Sequence, residues 1–117
     1  MNEARATQRS STNTAPRVLV VEDEVALSLL LSYNLEAEGF IVERVERGDE
    51  AELKLEEAPP DILILDWMLP GVSGLEICRR LRARDATRTL PVIMLTARGE
   101  EAEQAGSAVS IARILIV

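Results

Sequence analysis

Apolar and polar positions fall into repeating blocks along the chain. "RVLVV" (Arg17 to Val21) is a short β-branched run, and "EVALSLLLSYNLEAEG" then places Leu27, Leu31 and Leu35 at steps of four before Gly39. This pattern predicts a strand followed by a helix with a glycine stop. "FIVERV" (Phe40 to Val45) predicts a second strand. "GDEAELKLEEAPP" predicts a short helix with Ala51, Leu55 and Ala58 inward and Pro59 ending it, and "DILIL" a third strand. "SGLEICRRLRAR" puts Ile77, Cys78 and Leu81 on one face, with basic residues toward the C-terminal end where the helix dipole favours them. "LPVIML" (Leu90 to Leu95) is a fourth strand. Strands that are apolar nearly throughout, alternating with amphipathic helices, predict an α/β, doubly wound parallel sheet covered on both faces, with right-handed crossovers. Ligands in such sheets bind beyond the carboxyl ends of the strands.

The first 16 residues, "MNEARATQRSSTNTAP", are polar and aperiodic and are predicted to be a disordered tail, which leaves 17–117 as one domain. A net charge of −7 opposes direct binding to a nucleic-acid backbone or an anionic membrane. The single cysteine, Cys78, rules out an intrachain disulfide and a cysteine zinc cluster, and the lack of histidine removes the usual general base and the commonest transition-metal ligand. No stretch approaches the roughly 20 apolar residues of a membrane span, so a soluble, cytoplasmic protein is expected.

The strand ends carry the chemistry. Glu22, Asp23 and Glu24 follow the first strand, Asp66 the third, and Thr96, Ala97 and Arg98 the fourth. Singly, each is ordinary as a loop residue or helix cap. Together, carboxylates crowded on one rim repel one another unless a cation joins them. Oxygen ligands without histidine or cysteine favour Mg²⁺, which retains waters and is usually bound by one or two carboxylates plus a phosphate.

"VVEDE", "LILDWMLPG" and "PVIMLTAR" closely resemble the receiver domains of bacterial two-component response regulators, and the second and third motifs are most similar to the PhoB-type (OmpR/PhoB) subfamily. The likeness runs from Arg17 to about Glu103. It implies a flavodoxin-like (CheY-like) fold in which Asp66 accepts a phosphoryl group from a sensor histidine kinase. It further implies that Asp23 binds Mg²⁺ directly, Glu22 helps through water, the Met68 backbone carbonyl supplies a further ligand, and Thr96 hydrogen-bonds a phosphoryl oxygen. Cytoplasmic phosphosignalling in transcription regulation follows, with DNA reached only through an effector domain outside these residues. Pro70 and Gly74 suit a stiffened loop with close backbone approach. Trp67, beside Asp66, is either a packing residue or a partner contact.

The end of the chain departs from the family pattern. The lysine expected at the end of strand five is missing, the lone lysine being Lys54 in the second helix, and Leu115 stands where receivers often carry a switch aromatic. "QAGSAVSIARILIV" is off pattern, and Arg98 to Ser107 offers only alanines as inward positions and contains Gly106. The expectation is a receiver altered or truncated from about residue 104 and lacking its last helix, with strand five left uncovered, hence either a homodimer or low stability. Two other functions compete with a phosphorylatable receiver. One is a degenerate receiver serving only as a binding or dimerisation surface. The other is a Mg²⁺-dependent phosphohydrolase with an aspartyl-phosphate intermediate, which would want a second Asp where Met68 stands.

Overall fold

The structure, a computed structural model, describes residues 15–95 and, as backbone, a last strand at Ile114–Ile116. The elements are β1 (Arg17–Val21), α1 (Val25–Ala37), β2 (Ile41–Val45), α2 (Gly48–Glu57), β3 (Ile62–Asp66), α3 (Gly74–Arg82), a 3₁₀ turn (Asp85–Thr87), β4 (Val92–Leu95) and β5 (Ile114–Ile116). The sheet order is β2-β1-β3-β4-β5. β1 pairs in parallel with both β2 and β3, and β3 with β4. The strand order therefore reverses between β1 and β3, the flavodoxin-like arrangement.

β5 differs from the expected parallel sheet. It runs antiparallel to β4, with Leu95 opposite Ile114 and Ile93 opposite Ile116. A parallel neighbour needs a crossover, usually a helix, whereas an antiparallel one needs only a return. The sequence between the two strands has no run of large apolar residues from which a crossover helix could build a face. Pro16, expected in the tail, is instead held by the sheet. The Pro16 carbonyl accepts the Ile41 N–H at 2.9 Å, so Pro16 already extends the β1–β2 edge. The rest of the expected tail, the stretch 98–107 and the expected alteration from about 104 lie outside the described residues, as do Leu115's side chain and Thr96.

Alternate strand residues feed two layers of core. Leu19, Val21, Leu63, Leu65, Val92 and Met94 pack against Ala51 and Leu55 of α2 and Ile77, Cys78 and Leu81 of α3. Val18, Val20, Ile64 and Leu95 face the other way, toward Leu27, Leu31 and Leu35 of α1. This second layer is thinner, because those three leucines are only partly buried. The fully enclosed positions of α1 are instead Ser28 and Ser32, while Val25, Leu29, Leu30 and Tyr33 are exposed. A helix apolar on all sides is the pattern of an element with more than one neighbour.

Helix ends follow local chemistry. Gly39 adopts φ +99° after α1, with its N–H donating to Glu36 O at 3.0 Å and the Phe40 N–H to Leu35 O at 3.1 Å, the two bonds of a Schellman cap. Ala58, expected inward, is exposed, because the chain has already turned extended there ahead of Pro59 and Pro60. Arg17 ties the lower edge together: its N–H donates to Asp61 Oδ2 at 2.7 Å and its guanidinium to the carbonyls of Ala58 and Pro59.

Candidate functional site

Register brings the acidic residues together. Val21 of β1 is paired with Leu65 of β3, so the next residues, Glu22 and Asp66, leave the sheet side by side at the spacing of neighbouring strands, about 4.8 Å. Asp66 is the last residue of β3 rather than the first residue beyond it. Asp23 follows Glu22 on the same rim. Carboxylate oxygens of Glu22, Asp23 and Asp66 all lie within 4.8 Å of one another. Glu22 and Asp66 are each only 2% exposed, whereas Asp23 is open to solvent.

The backbone around the cluster is well tied. The Glu22 N–H donates to Val45 O at 3.1 Å, which carries β1's pairing with β2 one residue past the strand. The Glu22 carboxylate turns back to accept the Glu24 N–H at 2.9 Å. Asp66 Oδ1 accepts the Met68 N–H at 3.4 Å, and the Trp67 N–H donates to Leu95 O at 3.0 Å. Asp23 shares an open basin of ≈ 410 Å³ with Trp67, Met68, Leu69, Pro70 and Ser73. Two buried carboxylates and one exposed carboxylate beside an open basin make an oxygen-only donor set with room for water, which fits a Mg²⁺ ion. Among the described residues the basin is an open rim.

Gly74 earns its place through close approach. A Cβ there would press into the Asp66 carbonyl and lie 3.0 Å from Trp67 O, so only glycine lets α3 begin directly beside the end of β3. The Gly74 N–H also donates to Trp67 O at 2.9 Å, closing the loop at its base. Ser73 caps α3, its hydroxyl accepting the Glu76 N–H at 3.1 Å.

Of the residues singled out from sequence, Glu22, Asp23 and Asp66 converge, and Met68 lies on the same rim with its N–H on Asp66. Thr96 is the residue after Leu95, which pairs with Asp66, and is outside the described residues. Lys54 is remote: its ammonium pairs with Glu43 at 2.6 Å, and it shares a small cavity with Arg17, Ile41 and Pro60 at the amino edge of the sheet. Sequence reading missed Ser73 as a cap and Gly48, whose N–H reaches the loop after Asp66. The first carries a signal, the Ser-x-x-Glu spacing before an apolar run. The second carries none, since its partner is distant in sequence.

Comparison with known proteins gives a consistent result. Residues 18–113 match the response regulator receiver domain family. The chain is 70% identical over 89 residues to the phosphate regulon transcriptional regulatory protein PhoB of Rhizobium meliloti (strain 1021), a match covering 76% of this chain and 39% of that protein. It is 46% identical over 90 residues to PhoB of Escherichia coli (strain K12), covering 77% and 39%. The chain thus spans about two-fifths of the length of these curated relatives. The receiver domain of a sensor histidine kinase from Pseudomonas aeruginosa PAO1, solved with a magnesium ion coordinated in its active-site cleft, superposes with a TM-score of 0.69 at 27% identity, over 78% of this chain and 75% of that one.

Proposed function

The chain belongs to the response regulator receiver domain family, and from that premise we propose that it is the phosphoacceptor module of a PhoB-type transcriptional regulator. Asp66 takes a phosphoryl group from a phosphohistidine on a sensor histidine kinase. A carboxylate oxygen of Asp66 bonds to phosphorus as the P–N bond to the donor imidazole breaks, and the imidazole nitrogen keeps the electron pair and is protonated. The observation that carries this reading is the placement of the Asp66 carboxylate at the end of β3, with oxygens of Glu22 and Asp23 within 4.8 Å.

Phosphoryl transfer asks the protein for positioning and charge neutralisation more than for covalent help. Asp23, Asp66 and the Met68 carbonyl would hold Mg²⁺, with Glu22 acting through a water. When bound, the ion neutralises the equatorial oxygens of the transferring group. The end of β3 puts Asp66 on the rim, and the Met68 N–H holds one of its oxygens. Thr96 would complete the site as donor to a phosphoryl oxygen. The module acts in the cytoplasm and turns over nothing beyond slow loss of its own phosphoryl group. It reaches DNA through an effector domain outside these residues, and no described helix is long and apolar enough to cross a membrane.

A small acyl phosphate with saturating Mg²⁺ should add one phosphoryl mass to the intact protein, and Asp66→Asn should remove the gain. A second reading is a degenerate receiver that serves only as a binding or dimerisation surface; Lys54, held by Glu43 at the far edge of the sheet, has no part in the Asp66 site under either reading. Mg²⁺ binding without phosphorylation of Asp66 would select the degenerate receiver.

A further inference from the structure

We propose that Gly48, the first residue of α2, positions the metal-binding loop after Asp66 by clamping its apex, an inference that rests on the reading of Asp66 and Met68 as metal-holding residues. The loop from Trp67 to Ser73 leaves β3 at the site and returns at Gly74, where the Gly74 N–H bond to Trp67 O fixes its base. Its apex is fixed from elsewhere. The Gly48 N–H donates to Pro70 O at 2.9 Å, a bond between chain segments that share no strand or helix.

The fit is tight on both sides of that bond. A Cβ on Gly48 would run into the Val72 carbonyl, 2.7 Å from its carbon and 2.9 Å from the Val72 nitrogen. Gly71, at φ +87°, lies against the Arg47–Asp49 ion pair: a Cβ there would sit 2.8 Å from Asp49 Oδ1 and 3.2 Å from Arg47 Nη2. The start of α2 is therefore moulded to the backbone of residues 70–72. Enlarging Gly48 forces one partner to move. α2 is anchored by Ala51 and Leu55, both deep in the core, while most of the loop is exposed, so the loop gives way. Met68 is two residues from the clamped Pro70, and a displaced apex turns its carbonyl and its N–H on Asp66. Metal sites lose affinity steeply when the groups supporting their ligands are disturbed.

The test compares the full chain with Gly48→Ala, Asp49→Ala and, as a control, Gly39→Ala, whose added Cβ meets open space but whose φ of +99° is strained for alanine. Each is titrated with Mg²⁺ by Trp67 fluorescence, melted without metal, and examined for amide NMR shifts at Met68 and Leu69 without metal. Gly48→Ala should weaken Mg²⁺ binding about 10- to 100-fold and shift those amides. Asp49→Ala, an exposed change that leaves the core intact, should do the same to a smaller degree. Gly39→Ala should lower the melting temperature with neither effect. Wild-type affinity and unmoved loop amides in Gly48→Ala, or in Asp49→Ala should Gly48→Ala not fold, would overturn the proposal. If the wild-type chain takes up no Mg²⁺, the metal reading fails instead, and the loop amides alone decide whether the clamp exists.

Discussion

Ser28 is wholly buried on α1, and its hydroxyl finds no hydrogen-bond partner among the described residues. Ser32 one turn later differs, because its hydroxyl donates to the Ser28 carbonyl at 2.9 Å. An unsatisfied buried hydroxyl costs free energy that an apolar group of nearly the same size does not, and alanine is also the better helix former. Ser28→Ala should therefore stabilise the protein by about 1 kcal/mol, seen as a higher urea midpoint with unchanged slope. A lower midpoint would mean that the hydroxyl is satisfied after all. The two kinds of buried polar residue differed in how visible they were in the sequence. Asp66 stood out because a carboxylate ending a run of aliphatic residues demands compensation, and Glu22 and Asp23 stood out with it. Ser28 did not, because a serine among leucines at helical spacing reads as the polar side of a stripe. Here it is enclosed while the neighbouring Leu27 and Leu31 are only half-buried.

Among the elements, α3 carries the most visible electrostatics. Glu76, in its first turn, accepts from Arg79 and from Arg80, the latter Nε at 2.8 Å, and Arg80 also reaches across to Glu52 of α2. The hydrogen bonds from Arg79 and then Arg80 hold the Glu76 carboxyl down from 4.5 to about 2. Because the folded value is depressed, the linked stability is fully present above about 4.5 and is lost as pH falls toward about 2. These groups are open to solvent, so the contribution is small and salt weakens it. A carboxyl NMR titration should place Glu76 near 2, and Glu76→Gln should flatten the acid limb of the stability curve at low salt. A midpoint near the ordinary glutamate value would refute the network. Strands and helices this regular were legible from periodicity to within a residue or two. The 3₁₀ turn at Asp85–Thr87 was not, since it is held by side chains reaching the backbone, the Thr87 hydroxyl on Leu81 O at 2.8 Å and the Arg82 guanidinium on Thr87 O at 3.2 Å. Nor was the direction of β5. A three-residue apolar strand has the same pattern in either orientation, and only pairing with β4 decides between them.

At the scale of the whole molecule, the proposed Mg²⁺ binding would be linked to folding. The oxygens of Glu22, Asp23 and Asp66 come together only because β1 and β3 are paired in register, so an unfolded chain offers no such site. A ligand that binds only the folded state stabilises it by about 2.7 kcal/mol at one hundred times its dissociation constant. For a chain of this size that corresponds to a rise of roughly 10 °C in melting temperature. The acidic chain, at −7, complicates the measurement, because any divalent cation also screens its self-repulsion. Two controls separate the effects. Sodium chloride at matched ionic strength should reproduce only the screening part, and Asp23→Asn, which changes the net charge by a single unit, should abolish the specific part. The wild-type increment should saturate with Mg²⁺ at the concentration where Trp67 fluorescence saturates, and excess EDTA should reverse it. An increment that climbs without saturating, or that survives in Asp23→Asn, would reduce the rim to a patch of acidic surface and remove the physical basis for phosphoryl transfer to Asp66.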